Sequence, residues 1–318
     1  MRVLITGAAG LYGLHLMRRL SQNKNCEAVY ALDTGFDRPG VSFLPEGGRI
    51  VKIKKDFRQL TVREINRMEV DRVVHLAGYS SPAEAVQDPE EYFRNNVEGF
   101  FKFLHVLLRT RKRPLLIYLS CCHVYGFSRY LPVDESHPAC PRDFFAAGKV
   151  AAEAYCRAAF AWYNYPVIIV RSSHTYGPGM ACHGYAGVVA NFIRKALRGE
   201  NLVLYNDGEE ARDFLYGEDA ARALELLLEK GEKLAGQTFN LGTGKPVTVK
   251  TLAEKVLHHT GGKGELIYIP TGRPGLEIYA ADTAAIKKAT GWEATTSLDE
   301  GIKQTVAWMQ EAIKSPLL

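Results

Sequence analysis

Apolar residues in the first half of the chain gather in short runs separated by mixed stretches. The runs are Val3-Leu4-Ile5, 28–32, 50–53, Val73-Val74-His75-Leu76, 115–119 and 167–170. They are brief, rich in β-branched residues and apolar at consecutive positions, so they predict parallel strands buried on both faces. Between them, 14–20, 92–108 and 150–162 repeat apolar residues at helical spacing. Strand and helix in alternation predict an α/β architecture, a doubly wound parallel sheet with helices on both faces. After Arg171 the pattern loosens, and Gly- and Pro-containing loops at 176–179 and 272–275 separate shorter elements. The expected organisation is a first lobe at 1–171 and a smaller lobe at 172–318. A segment near 212–241, through Thr238-Phe239-Asn240-Leu241, is expected to return to the sheet.

Composition narrows the class. The chain has 318 residues, 47% hydrophobic and 24% charged, enough to build a sizeable core. The net charge of +5 is small for this length and gives no reason to expect a nucleic-acid partner. No apolar run approaches the ~18–20 residues of a membrane span. The opening residues read as a strand running into a glycine loop, so no leader peptide and no membrane are expected. The six cysteines, at 26, 121, 122, 140, 156 and 182, include no Cys-x-x-Cys pair and no His pair at zinc-finger spacing. They predict free thiols in a reducing cytoplasm, and no metal site is expected.

The glycine loop brings in chemistry. Gly7-Ala8-Ala9-Gly10-Leu11-Tyr12-Gly13 has G-x-x-G-x-x-G spacing, follows the first predicted strand and opens the first predicted helix. Small residues there let backbone approach a pyrophosphate, whose charge is favoured at a helix N-terminus. A tight turn alone also needs glycine, but this placement points to a dinucleotide on a Rossmann domain. Asp33 ends the second run. An acidic side chain there accepts hydrogen bonds from the ribose hydroxyls and repels a 2′-phosphate, which favours NAD over NADP. Arg38, close by, works against that exclusion.

With these motifs in place, the chain resembles the extended short-chain dehydrogenase/reductase family, specifically its nucleotide-sugar epimerases and dehydratases, over essentially its whole length. Asp56-Phe57 resembles the pair that holds the adenine. His75-Leu76-Ala77-Gly78 resembles the strand end lining the cofactor, and Asn96, within 95–99, the family's helix motif. Residues 120–126 resemble the active-site strand, 171–179 the strand and loop leading to the substrate, and 240–244 the late glycine turn. Arg212, in Ala211-Arg212-Asp213-Phe214, and Arg273, in Arg273-Pro274-Gly275, resemble two elements that grip a nucleotide diphosphate. Guanidinium groups suit that partner because they bind oxygen pairs in bidentate fashion. The resemblance implies bound NAD, a nucleotide-diphosphate sugar as substrate, 4-epimerisation as the commonest chemistry, and a homodimer through helices at 92–108 and 145–162.

Two positions break the pattern. The family's Tyr-x-x-x-Lys pair reads Phe145-Ala146-Ala147-Gly148-Lys149, so the lysine is present and the tyrosine is replaced by a phenyl ring. The partner Ser or Thr on the active-site strand is Cys121, a weaker hydrogen-bonder. Three readings follow: Phe145 is a Tyr→Phe change that impairs a 4-epimerase; the protein uses other groups; or it binds NAD and a nucleotide sugar without catalysis. For the second, Cys122 and His123 stand where sugar 4,6-dehydratases carry an acid and a base, which would suit a dehydratase or a C3/C5 epimerase. Tyr79 is a candidate substrate contact and substitute acid. His174 stands where relatives often carry a substrate-binding Asn.

Overall fold

The computed structural model describes residues 1–36, 41, 49–181, 187–270 and 277–314. Its strands are β1 (Arg2–Thr6), β2 (Ala28–Asp33), β3 (Ile50–Lys54), β4 (Arg72–His75), β5 (Leu115–Cys121), β6 (Val167–Ser172), β7 (His174–Tyr176), β8 (Leu202–Tyr205), β9 (Ala211–Tyr216), β10 (Thr238–Leu241), β11 (Pro246–Thr248) and β12 (Leu266–Ile269). Seven form one sheet in the order β10-β6-β5-β4-β1-β2-β3, all neighbours parallel. This is the doubly wound Rossmann-type sheet that the alternation predicts. β10 joins it at the far edge beside β6, through the returning segment.

Burial follows position in the sheet. The central strands β5 and β6 are buried almost throughout, whereas β3 is largely exposed. The apolar run at 50–53 predicts a strand covered on both faces; β3 instead closes an edge and leaves Val51 48% exposed. Its lysines, Lys52 and Lys54, suit an edge that must not pair with another chain.

The helices are α1 (Leu11–Gln22), α2 (Val62–Met68), α3 (Pro82–Gln87), α4 (Pro89–Phe93), α5 (Phe100–Leu108), α6 (Phe144–Tyr163), α7 (Val188–Leu197), α8 (Gly217–Lys230), α9 (Val249–Thr260), α10 (Ala284–Thr290) and α11 (Leu298–Lys314). α1 and α8 cover one face of the large sheet through Leu16, Leu20, Leu224 and Leu227. α5 and α6 cover the other through Phe100, Phe103, Ala152 and Cys156. A third core, built from α7, α9 and α11 with Leu202, Leu204 and Phe214, lies beyond the carboxyl ends of the strands.

The periodic stretch at 92–108 is a helix interrupted by a π-helical segment at Arg94–Gly99, which separates α4 from α5. The wider turn carries Asn95 and Asn96, both buried. No helix among the described residues is long and apolar enough to cross a membrane.

Candidate active site

The loop after β1 is shaped by what a side chain would strike. Gly7 has φ +72°, and a Cβ there would lie 2.6 Å from the amide nitrogen of Ala77, at the end of β4. A Cβ on Gly13 would lie 2.4 Å from the Ala8 carbonyl oxygen. α1 therefore starts hard against the sheet. Its cap, Gly10, offers no side-chain acceptor, and no acidic residue stands in its first turn. The leading N–H groups and the positive end of the helix dipole remain available to a pyrophosphate.

Asp33, buried at the end of β2, accepts hydrogen bonds from the Ala9 amide at 3.0 Å and the Gly35 amide at 3.2 Å. It locks the glycine loop to the end of β2. These residues fit a dinucleotide.

The neighbouring candidates divide into cradle and support. Leu11 packs its side chain into the third core, and the Tyr12 hydroxyl bonds Ser172 and Thr175 at 2.9 and 2.6 Å. Both side chains thus tie α1 to the far side of the cleft, leaving their backbone to the loop. Asn96 reaches from the π-helical turn to bond both the N–H and the carbonyl of Tyr79, at 2.9 and 2.8 Å. It fixes the strand end Leu76-Ala77-Gly78, where Gly78 adopts φ +154° with the Asn96 amide oxygen 3.1 Å from where a Cβ would stand.

Phe57 is buried against His75, ring centroids 5.0 Å apart, and the Asp56 carboxylate is engaged by Arg58 at 2.7 Å. The His75 ring is pushed down to about 3 by its burial, so it stays neutral and bonded to Thr6. The Tyr79 hydroxyl donates to Glu91 at 3.2 Å, and its ring packs on Tyr92, which lies in the same cluster as Phe145.

Strand β5 and helix α6 meet at the carboxyl end of β5. Asp143 caps α6 by accepting from the Ala146 amide at 2.7 Å. Phe145 sits in the first turn, buried with Ala85 and Tyr92 and touched by Cys121. One turn later the Lys149 ammonium donates to the Leu119 carbonyl at 2.8 Å. Burial lowers the Lys149 pKa, partly offset by Cys121 and Glu153. Below this layer Glu153 is buried between Arg171, at 2.7 Å, and the Ser120 hydroxyl, at 2.6 Å, fixing α6 to β5 and β6.

Register then assembles a group that no single motif contains. β5 and β6 run parallel with Cys121 opposite Ser172. Chain leaving the two strands emerges at one edge, so His123 and His174, each two residues further on, come together with ring centroids 5.4 Å apart. Cys122, opening the short 3-10 turn Cys122–Tyr125, places Sγ 3.9 Å from His174 Nδ1. The His123 ring stands 5.8 Å from Phe145. Arg212, half-buried on β9 and 3.4 Å from Glu210, contributes positive charge that lowers the affinity of both histidines for a proton.

Burial moves the two cysteines and the two histidines away from neutrality. It pushes Cys121 up to about 11 and Cys122 well above the ordinary thiol range. It takes His123 down and His174 well below the usual imidazole value. Cys122 is buried and His123 is half-buried, so partial desolvation moves both away from their ordinary values.

Tyr125 is fully buried and donates to Asn240 at 2.6 Å. Five cysteines are free, and Cys182 lies outside the described residues, as do Arg38 and Arg273. One residue escaped sequence reasoning. Tyr279 packs in the same small cluster as Cys122, and its buried hydroxyl has no partner among the described residues. Nothing local marks it, because the loop before it carries the arginine motif that draws attention instead.

A parallel seven-stranded sheet, a glycine loop leading from β1 into α1, and a half-buried lysine on α6 bonded to the end of β5 together define a Rossmann-type α/β fold. The sequence model of the NAD dependent epimerase/dehydratase family matches residues 3–242, and the chain belongs to that family. It is 31% identical to a putative UDP-glucose 4-epimerase of Methanocaldococcus jannaschii, over 97% of this chain and 98% of that one. Its fold is similar to that of the Thermotoga maritima UDP-glucose 4-epimerase with UDP-glucose, with TM-score 0.88, 29% identity, and 99% and 100% of the two chains covered. It is equally similar to DesIV, the dTDP-glucose 4,6-dehydratase of Streptomyces venezuelae with NAD bound, with TM-score 0.88, 26% identity and both chains fully covered.

Proposed function

We propose that this protein is an NAD-dependent nucleotide-diphosphate-sugar epimerase that works through a transient 4-keto sugar, and that its proton transfer is impaired by Phe145. The observation that supports this most is Lys149, anchored on Leu119 beside Cys121, in a chain that keeps the glycine cradle and Asp33. Gly7, Gly10, Gly13 and the backbone of Leu11 and Tyr12 would hold the pyrophosphate, Asp33 the adenosine ribose and Lys149 the nicotinamide ribose. Asp56, Phe57, Leu76, Ala77, Gly78 and Asn96 would shape the rest of the cofactor cleft. NAD supplies a hydride acceptor at the sugar's C4 that returns the hydride to the other face.

The chain's own residues orient the sugar and screen it from water. Arg212, with Arg273, would bind the diphosphate, and His174 and Tyr79 would border the sugar. What is missing is a group to take the C4 hydroxyl proton. A phenyl ring has none to exchange, and the Cys121 thiol, pushed up to about 11, is a poor base at neutral pH.

A dehydratase or C3/C5 epimerase would need an acid and a base at Cys122 and His123. Burial of both makes that reading the weaker one. Exposed aromatic residues on α5 and α6, Phe101, Tyr155 and Trp162 among them, support a homodimer through these helices.

The test is UDP-glucose to UDP-galactose interconversion in deuterated water, alongside calorimetric titration of NAD. Slow interconversion without deuterium entering the sugar is expected. Deuterium incorporation would favour the dehydratase or C3/C5 reading. Tight NAD binding with no turnover, even in Phe145→Tyr, would leave a non-catalytic binding protein.

A further inference from the structure

Three side chains from two strand ends converge beside the empty tyrosine position. Cys122 Sγ and one ring nitrogen each of His123 and His174 all lie within 4.8 Å of one another, with Cys122 buried and both histidines half-buried. Zinc bonds of about 2.3 Å to sulfur and 2.0–2.1 Å to nitrogen, at tetrahedral angles, place ligand atoms roughly 3.3–3.6 Å apart. The Cys122–His174 separation of 3.9 Å is already near that value. Three protein ligands with a fourth position open is the arrangement of catalytic rather than structural zinc.

We propose that Cys122, His123 and His174 form a binding site for a divalent cation of the zinc class, with its open position facing the place where the family's tyrosine hydroxyl would act. Location carries the second half: His123, a ligand, is the ring that meets Phe145 at 5.8 Å. What the cation acts on rests on the nucleotide-sugar reading above; the site itself does not. A hydroxyl bound at the open position is acidified by the cation. Its O–H bond breaks, the electron pair stays on oxygen and the proton passes to solvent, which is the step that Phe145 cannot perform.

The surroundings suit a thiolate-bound cation. Asp143 and Glu277 direct negative charge at His123 and Asp213 lies near Cys122, opposed by Arg212 and by Arg142, which stands 3.8 Å from Glu277. The Tyr279 hydroxyl, which has no partner among the described residues, lies in the same cluster as Cys122, as an outer-shell donor would. The cluster was hidden in the sequence because its members are split between residues 122–123 and 174, with no zinc spacing linking them.

The experiment uses the full chain, stripped by chelator and dialysed. Zinc(II) is titrated in competition with a chromophoric chelator, and cobalt(II) is added to a second sample. One equivalent per chain is expected, with a thiolate-to-cobalt band in the near ultraviolet and the intense visible bands of tetrahedral cobalt. Adding imidazole should shift the visible bands by filling the open position; an unmoved spectrum would overturn that position. Cys122→Ser and His174→Asn should each weaken zinc binding by more than the roughly 10–100-fold that loss of an outer partner costs. Exposed Cys140 is the control, and Cys140→Ser should bind as before. Circular dichroism and NAD titration on the same samples show whether each variant is folded. Absent stoichiometric binding, or equal binding in folded Cys122→Ser and His174→Asn, overturns the site. Zinc binding without NAD binding would instead remove the nucleotide-sugar reading and leave the cation site standing.

Discussion

The Phe145 ring meets the His123 imidazole edge-on, with centroids 5.8 Å apart and planes at 70°. The position that should carry an exchangeable proton is instead an apolar ring, buried with Ala85 and Tyr92 and packed on an imidazole that burial keeps neutral. Adding one oxygen to that ring places a hydroxyl one helical turn before Lys149. In metal-free protein, Phe145→Tyr should raise UDP-glucose to UDP-galactose interconversion by about 10²–10⁴-fold, the usual contribution of a positioned acid–base group. A rate unchanged within a factor of two would show that this position does not limit turnover.

Asp33 has two duties that one substitution separates. Its carboxylate holds the Ala9 and Gly35 amides, and in the proposed NAD site it would also present negative charge to a 2′-phosphate. Asp33→Asn keeps an acceptor for the loop and removes the charge. NAD affinity should fall about 10-fold or more, the worth of a charge-assisted hydrogen bond, while discrimination against NADP narrows. Calorimetry with both dinucleotides reads this directly; undiminished preference for NAD would place the discrimination elsewhere.

Gly7 joins the ends of β1 and β4. A side chain there meets the Ala77 backbone at 2.6 Å and must also adopt φ +72°. Gly7→Ala should cost about 1–3 kcal/mol in backbone strain alone, lowering the melting temperature by several degrees and abolishing measurable NAD binding. Wild-type NAD affinity in this variant would mean that the loop is not the cradle.

The large sheet was legible because burial on both faces leaves a consecutive apolar signature, and Gly7 to Gly13 was legible because strand, glycines and helix are contiguous. The edge strand β3 misled for the same reason: Ile50, Val51 and Ile53 carry the apolar signature, yet while Ile50 and Ile53 pack against the cores on either face, Val51 is exposed at the sheet's edge. Cys122, His123 and His174 could each be singled out, but their meeting depends on Cys121 pairing with Ser172, a register the sequence does not spell out. The pKa directions were equally hidden, since they follow from burial rather than residue type.

Glu153 is the charged anchor beneath the site, 1% exposed and bonded to Arg171, Ser120 and Arg157. Burial alone would raise its pKa; hydrogen bonds and charge from Arg171 outweigh that and hold it below the ordinary glutamate value of 4.5. Its stabilising contribution is therefore fully present above about pH 4.5 and is lost as pH falls through the lower folded value. Glu153→Gln leaves Arg171 buried without a countercharge and should cost about 3–5 kcal/mol at pH 7. Urea denaturation from pH 7 downward should show the gap between wild type and variant shrinking below pH 4.5; a gap independent of pH would mean the carboxylate's charge is not what stabilises the layer.

Burial also makes a prediction about the paired thiols. Cys121 is raised from 9.0 to about 11, which reduces its thiolate fraction near neutrality by about 100-fold, and Cys122 is raised well above 9.0 as well. Since the thiolate is the nucleophile, iodoacetamide at pH 7.5 should modify exposed Cys140 quickly and leave Cys121, Cys122 and Cys156 intact in the folded, metal-free chain. Peptide mapping by mass spectrometry at timed intervals measures each site separately. Rapid labelling of Cys122 at that pH would show that its thiolate forms without a cation, through solvation or a charge partner that the folded packing does not provide.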